Sequence, residues 1–205
     1  MKIKIDGGIL AGGLSRRMEG NDKGLQHYKG QAMASWVYQA LAPHVDNVYI
    51  NCNKNHTSYQ TISPLTCSDT ISGFQGPLAG LVSLMSASDA DYLLVSPCDT
   101  PMLSQAFGEK VLAVLKDKLV EDPHQEILIA CKDENRNHPL HLCISRQLQN
   151  NLEQAIENGE HRVMQWVRNN GVHWIDFSED ASAENTDCFV NFNTLEALEK
   201  SQTSK

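Results

Sequence analysis

The residues whose types and spacing are best suited to chemistry lie in one run between Leu10 and Lys23, which reads LAGGLSRRMEGNDK. Gly12 and Gly13 directly follow an apolar segment, and without a Cβ their backbone amides can approach a ligand closely. Three cations of the kinds that hold phosphate follow the glycine pair, at Arg16, Arg17 and Lys23. The glycine pair alone would be typical of an ordinary turn. With the cations beside it, the run predicts a loop that binds a nucleotide triphosphate.

This run is not one of the common phosphate-binding motifs. The sequence holds neither G-x-x-x-x-G-K-[ST] nor G-x-G-x-x-G, which disfavours a P-loop NTPase and the usual dinucleotide enzymes. Residues 13–17 begin like the nucleophile elbow of hydrolases but lack its final glycine. The chain is acidic, with a net charge of −8 and a pI near 5.4, which disfavours nucleic-acid binding. Local cations on an acidic background favour a small anionic ligand, so we predict a nucleotide-using enzyme.

Composition bounds the type of protein. A chain of 205 residues with 41% hydrophobic and 20% charged residues is typical of one globular domain. Its six cysteines include no C-x-x-C pair, and no signal peptide is recognised, so we expect reduced thiols in the cytoplasm. No apolar stretch reaches the roughly 20 residues that a membrane-spanning helix needs, so no membrane partner is expected.

Apolar spacing predicts strands and helices that alternate through the first half of the chain. The predicted strands are 3–10, 46–51, 92–96, 126–131, 141–145, 172–177 and 188–192. The predicted helices lie around 33–41, from 76 onward, around 107–115 and 148–156, over 162–170, and from 193 onward. The pattern indicates an α/β fold in a single domain, with a mainly parallel twisted sheet flanked by helices.

Polar side chains follow several of the predicted strands. In an open α/β sheet ligands bind at the carboxyl ends of the strands, so the basic run, Asn51, Asp69 and Asp99 are expected to converge there. Asp99 lies between Pro97 and Pro101 directly after a buried apolar strand, and Mg²⁺ is typically held by one or two carboxylates plus substrate phosphates. The simpler alternatives are a turn aspartate capping the next helix for Asp99, and an ordinary turn former for Asp69.

Six segments, in this order, carry a resemblance to a known family. They are the run 10–23, Gly76-Pro77-Leu78-Ala79-Gly80, Pro97-Cys98-Asp99-Thr100-Pro101, Arg136-Asn137-His138-Pro139, Gly159-Glu160-His161-Arg162-Val163-Met164 and Phe189-Val190-Asn191-Phe192-Asn193. Together they resemble the bacterial molybdenum cofactor guanylyltransferase family, within the nucleotidyltransferase superfamily, over nearly the whole chain. Two positions depart from that family's pattern: Glu19 replaces a usual glycine, and Asn137 replaces a usual aspartate.

The resemblance implies a Rossmann-like nucleotidyltransferase fold and a reaction that transfers GMP from GTP to molybdopterin and releases pyrophosphate. The implied GTP-binding residues are Leu10, Ala11, Gly12, Gly13, Lys23, Asn51, Asp69, Gly76, Pro77, Gly80 and Asp99, with Asp99 also on Mg²⁺. Asp99, Arg17 and Lys23 are the expected catalytic residues, the two cations stabilising the triphosphate and the departing pyrophosphate. Residues from about 1 to 110 would bind the nucleotide, and those from about 126 to 200 would face the pterin. Transient contact with molybdenum-insertion proteins or molybdoenzyme chaperones is a further expectation.

Two further pairs of polar residues lie in the second half of the chain. Asn191 and Asn193 lie two apart on a predicted strand, so they share one face, which the resemblance places near the pterin. The alternative is a polar strand end plus a helix cap. His138 and His141 are three apart with Pro139 between them, so extended backbone would send them to opposite faces and disfavours a metal site.

The residues leave two other functions open. One is a related transferase that uses CTP or acts on another phosphorylated small molecule. The other is a non-catalytic nucleotide sensor, which the intact set of Asp99 and Lys23 disfavours.

Overall fold

The computed structural model describes residues 3–13, 22–71, 76–178 and 188–192. Its strands are β1 (Ile5–Leu10), β2 (His27–Tyr28), β3 (Gln31–Ala32), β4 (Val48–Asn51), β5 (Thr66–Cys67), β6 (Tyr92–Pro97), β7 (Leu128–Lys132), β8 (Asn137–Ser145) and β9 (His173–Asp176). Its α-helices are α1 (Met33–Leu41), α2 (His56–Gln60), α3 (Pro77–Ala87), α4 (Gln105–Glu121), α5 (Gln149–Glu157) and α6 (Val163–Asn169). Short 3-10 helices cover Lys23–Leu25, Ala42–His44 and Arg146–Leu148.

Seven strands form one sheet in the order β5-β4-β1-β6-β8-β7-β9. β1 pairs in parallel with both β4 and β6, and β4–β5 and β7–β9 are also parallel. β8 is antiparallel to both of its neighbours. The predicted α/β fold with a mainly parallel sheet is therefore confirmed, with one strand reversed inside it.

Helices cover both faces of this sheet, because the strands expose apolar side chains on each side. One core contains the inward faces of α1 and α4 packed on strand residues such as Ile9 and Leu94. The other contains α3, α5 and α6 packed on residues such as Leu93 and Val95. Trp166 of α6 is almost fully buried in this second core. Within the described residues, none of the helices is both long enough and apolar enough to cross a bilayer.

The strand directions bring seven chain segments to one edge of the sheet, which we name the carboxyl edge. It holds the carboxyl ends of β1, β4, β5 and β6. Because β8 is antiparallel to β6, it begins at this edge with Asn137, while β7 and β9 end there. The turn that joins β7 to β8 therefore lies at the same edge as the residues that follow β6.

The segment 188–192 differs from the sequence prediction, because it is a turn and coil rather than a strand. Phe189 and Phe192 are nevertheless buried, which accounts for the apolar pattern that suggested a strand. A backbone hydrogen bond ties the segment down: the amide of Phe192 donates to the carbonyl oxygen of Asp99 at 3.0 Å. Phe189 packs against the His138 and His141 rings of β8, and Phe192 stacks on Tyr28, so both are buried without a sheet partner. The helix predicted from residue 193 lies outside the described residues.

Candidate functional site

The first part of the site is a network of hydrogen bonds around Asp69 at the carboxyl edge. Asn51, the last residue of β4, donates from Nδ2 to Asp69 Oδ1 at 2.9 Å. Asn53 donates from Nδ2 to Asp69 Oδ2 at 2.7 Å and accepts from the Asp69 amide at 2.9 Å. Asn53 also donates to the carbonyl oxygen of Gly12 at 3.1 Å, which joins the loop after β1 to the loop after β5. Both carboxylate oxygens of Asp69 are therefore held in a defined direction.

Two glycines let this network form. A Cβ on Gly12 would lie 2.7 Å from Asn51 Oδ1, and a Cβ on Gly80 would lie 2.6 Å from the same atom. These distances are shorter than any real Cβ contact, so larger residues at either position would displace the amide. Gly80 is fully within α3, where glycine is otherwise unfavourable, so its presence is explained by this close approach.

The second part of the site is the pair formed by Lys23 and Asp99. Lys23 Nζ lies 3.2 Å from Asp99 Oδ2, and both side chains are mostly buried, with 23% and 13% of their surface exposed. Lys23 begins a 3-10 helix, and the preceding Asp22 accepts hydrogen bonds from the Tyr59 hydroxyl and from Asn55 Nδ2. The pairing brings the loop after β1 and the loop after β6 together, although they are 76 residues apart in sequence.

The backbone around Asp99 is also held on both sides. The Cys98 amide donates to the Leu10 carbonyl at 3.1 Å, which extends the pairing of β1 with β6 by one residue. The Thr100 hydroxyl donates to the Pro97 carbonyl at 3.1 Å. Burial, with Asp99 nearby, raises the pKa of the Cys98 thiol well above its usual value, so Cys98 stays neutral and acts as an apolar residue. No disulfide joins any of the six cysteines.

The histidine pair corrects a sequence prediction. His138 and His141 were expected on opposite faces of a strand, but their ring centroids are 5.7 Å apart. A bulge is the reason: Cys131 pairs with His138, while its neighbour Ala130 pairs with Leu142. The extra residues of β8 break the alternation, so both rings turn to the same side.

Burial sets the charge of both histidines. Burial lowers the pKa of His141 well below its usual value, and its Nε2 lies 3.3 Å from the Thr100 hydroxyl. Burial also lowers the pKa of His138, outweighing the opposing effect of Asp133, whose carboxylate lies 2.6 Å from His138 Nε2. Both rings are therefore neutral at pH 7, and among the described residues no three His, Cys, Asp or Glu side chains form a metal cluster.

The other predicted residues are placed as follows. Leu10 and Ala11 continue from β1 to the network, with the Ala11 amide donating to the Asn51 carbonyl at 2.8 Å. Gly76 has a φ of +74° and precedes α3, and Pro77 occupies its first turn. Gly13 is exposed, with no described atom within 4 Å of a Cβ built there. Arg16, Arg17, Glu19 and Asn193 lie outside the described residues.

Sequence reasoning missed Asn53, Asp22, Tyr59 and Arg136. For Asn53 a signal was available, because it lies two positions after Asn51 and extended backbone points both toward the same side. Tyr59 had no such signal, since its contact with Asp22 joins positions 37 residues apart.

The donors around Asp99 fit a magnesium ion. Mg²⁺ retains several waters and is commonly bound by one or two carboxylates together with substrate phosphates, so it needs no all-protein cage. Asp99 supplies one carboxylate at the carboxyl edge, and Lys23 beside it carries a charge that suits the same phosphates.

Comparisons with known proteins bear on this geometry. Residues 7–173 match the MobA-like NTP transferase domain. This chain belongs to that family. A molybdenum cofactor guanylyltransferase from Haemophilus influenzae is 35% identical over 200 residues, covering 98% of each chain. The family and the nucleotidyltransferase class predicted from the motifs are therefore confirmed.

Solved structures show the same fold. The molybdopterin-guanine dinucleotide biosynthesis protein A from Archaeoglobus fulgidus has a TM-score of 0.73 at 19% identity, with 96% of each chain covered. Rv0371c from Mycobacterium tuberculosis, solved as a complex with manganese, has a TM-score of 0.63 at 14% identity and covers 87% of this chain and 90% of its own.

Proposed function

We propose that the protein transfers GMP from GTP to molybdopterin, giving molybdopterin guanine dinucleotide and pyrophosphate. The observation that carries this proposal is the meeting of Lys23, Asp99, Asn51 and Asp69 at one edge of the sheet, in a chain of this family. Two fixed carboxylates and an amide beside a lysine suit a ligand that has both a polar base or sugar and a charged phosphate chain.

The reaction needs positioning and charge stabilisation more than a protein nucleophile. An oxygen of the acceptor phosphate attacks the α-phosphorus of GTP, and the bond from that phosphorus to the bridging oxygen of pyrophosphate breaks. The acceptor oxygen is already ionised at neutral pH, so no side chain has to remove a proton. Lys23 would offset charge on the triphosphate and on the departing pyrophosphate, and Arg17 retains the same predicted role.

Asp99 would hold Mg²⁺ against the phosphate oxygens. When bound, the ion supplies Lewis-acid stabilisation of the charge that develops on those oxygens. Lys23 orients the Asp99 carboxylate through their 3.2 Å contact, and the backbone bond from Phe192 fixes the loop that carries it. Asn51 and Asp69, on the far side of β1, would bind the nucleoside part of GTP.

The proposal also assigns the binding of the nucleotide and of the pterin to two different parts of the chain. Elements β1 to β6 supply the nucleotide residues, within about residues 1–110. Residues from about 126 to 200, with Asn191 and Asn193 among them, would form the side that faces the pterin. Transient contact with molybdenum-insertion proteins or molybdoenzyme chaperones belongs to the same proposal.

Pyrophosphate release tests the function directly. Protein incubated with GTP, Mg²⁺ and molybdopterin should release pyrophosphate, and the same mixture without molybdopterin should not. Parallel reactions with CTP and UTP test the base, and GTP should give the highest kcat/KM. A higher kcat/KM with CTP contradicts the guanylyl assignment, and nucleotide binding without any transfer contradicts the enzyme.

Asp99→Asn tests the residue assigned to the metal. Removing one negative charge should lower kcat by about 100-fold or more, since metal positioning contributes several kcal/mol to the transition state. The Kd for GTP should change less than about fivefold, because Lys23 and the Asn51 network remain. Asp117→Asn, on the exposed face of α4, is the matched control and should behave like the wild type. An Asp99→Asn variant with unchanged kcat would remove Asp99 from this role.

A further inference from the structure

The turn between β7 and β8 places a cation, Arg136, at the carboxyl edge. Arg136 begins one of the family segments, but neither the resemblance nor the nucleotide residues give it a role. This turn, residues 133–136, follows the end of β7 and precedes the start of β8. The contact between His141 and Thr100 shows that β8 packs directly against the loop that carries Asp99. The turn is therefore on the side of Asp99 opposite to β1, β4 and β5.

Asp133 builds this turn and fixes its shape. Its Oδ1 accepts from the backbone amides of Asn135 and Arg136, each at 2.8 Å, and its own amide donates to the Arg136 carbonyl at 2.9 Å. Its Oδ2 accepts from His138 at 2.6 Å. Although burial opposes ionisation, the hydrogen bonds from His138 and these amides hold the pKa of Asp133 below its usual value. The turn is thus organised before any ligand arrives.

Arg136 extends from the turn toward the segment 188–192. Its Nη2 lies 3.4 Å from the Phe189 carbonyl oxygen and 3.5 Å from Asn191 Oδ1, at the long limit of hydrogen bonding. The next residue after Asn191 is Phe192, whose amide is bonded to Asp99. Within the described ranges, no carboxylate forms an ion pair with the Arg136 guanidinium, which is exposed.

We propose that Arg136 binds the phosphate of the acceptor and so positions it for attack. This inference rests on the proposed function. The two partners of this guanidinium, a backbone carbonyl and an amide oxygen, are neutral and weakly bonded, so it retains donors for a bidentate contact with a phosphate. In a chain of net charge −8, a dianionic acceptor approaching Asp99 needs such a cation. The acceptor is favoured over GTP as the ligand of Arg136, because the residues proposed to bind GTP, Asn51, Asp69 and Lys23, lie on the other side of Asp99.

Steady-state kinetics with both substrates tests this proposal. Arg136→Ala should raise the KM for molybdopterin about 10- to 100-fold, the usual range for losing a charge-assisted contact. The Kd for GTP should stay within about twofold of the wild-type value. Arg136→Lys keeps the charge but loses the planar fork, so its KM should be intermediate. Raising the ionic strength should weaken molybdopterin binding more in the wild type than in Arg136→Ala.

The matched control is Arg168→Ala, which removes an exposed arginine from the last turn of α6 and should leave both substrates unaffected. A wild-type KM for molybdopterin in Arg136→Ala overturns the inference, and so does a weakened GTP affinity with an unchanged KM for molybdopterin. If Arg136→Ala has a lower Tm than the wild type, the KM for molybdopterin and the Kd for GTP of Arg136→Lys and Arg136→Gln decide whether the inference holds. A wild type that releases no pyrophosphate overturns the proposed function itself, which is a separate outcome.

Discussion

Gly80 gives a sharp test of the site, because substitution there has opposite expected effects on helix propensity and on the hydrogen-bond network. It lies in α3, where an alanine ordinarily stabilises a helix by about 1 kcal/mol relative to glycine. However, the Cβ of Gly80→Ala would lie 2.6 Å from Asn51 Oδ1 and 2.9 Å from Leu10 Cδ2. Asn51 is only 1% exposed and is bonded to Asp69, so it cannot move without losing that bond.

The sizes of these opposing effects decide whether Gly80→Ala raises or lowers the free energy of unfolding. Losing a hydrogen bond to an ionised carboxylate costs about 2 kcal/mol. Shifting Leu10 in a packed site adds about 1 kcal/mol. After the gain of about 1 kcal/mol from helix propensity, Gly80→Ala should lower the free energy of unfolding by about 2 kcal/mol. For a chain of 205 residues this corresponds to a fall in Tm of about 4 to 8 °C. Displacing Asn51 should also weaken GTP binding about tenfold, which corresponds to about 1.4 kcal/mol.

Thermal unfolding and isothermal titration with GTP measure both effects. Gly108→Ala is the matched control, because Gly108 is also in a helix, α4, and its Cβ would also collide with a side chain, the His44 ring. It should destabilise the protein while leaving the Kd for GTP unchanged, since His44 precedes the start of β4 and Asn51 lies at the opposite end of that strand. If Gly80→Ala raises the Tm, or if both variants weaken GTP binding equally, the assignment of Gly80 and Asn51 to the site is refuted.

Two further predictions concern Asn53 and His141. Asn53→Ala removes the hydrogen bonds to Gly12 and Asp69. It should raise the Kd for GTP about 5- to 20-fold with little change in kcat, which binding measurements and steady-state kinetics would show. A fall in kcat alone would contradict a positioning role. Because burial lowers the pKa of His141, the unfolded chain binds more protons than the folded one below about pH 6.5. The contribution of neutral His141 to the free energy of unfolding is therefore fully present above about pH 6.5. Below that pH it should fall by about 1.4 kcal/mol per pH unit, until the pH reaches the pKa of His141 in the folded protein. Urea unfolding across pH 4.5–7.5 measures the slope, which His141→Gln should reduce.

Much of the fold could be predicted because local patterns report which faces of an element are buried. The spacing of Val37 and Leu41 predicted α1, and the continuous apolar run from Tyr92 predicted β6. The positions of Asn51 and Asp99 at strand ends predicted their shared edge, since parallel strands end together. These inferences depend only on periodicity, chain direction and the chemistry of single residues.

The tertiary structure decided the rest, because it depends on pairings between distant segments. The bulge between β7 and β8 brings His138 and His141 together, and the pattern of β8 alone does not contain it. The segment 188–192 has the apolar residues of a strand, but it finds no strand partner and packs as a turn over Asp99. The contacts of Asn53 and Arg136 likewise join loops far apart in sequence. The amino-acid sequence by itself thus determined the family and most of the strands and helices, and it predicted a set of candidate ligand residues. Long-range packing decided which polar side chains meet, since alternation along a strand cannot report its partner.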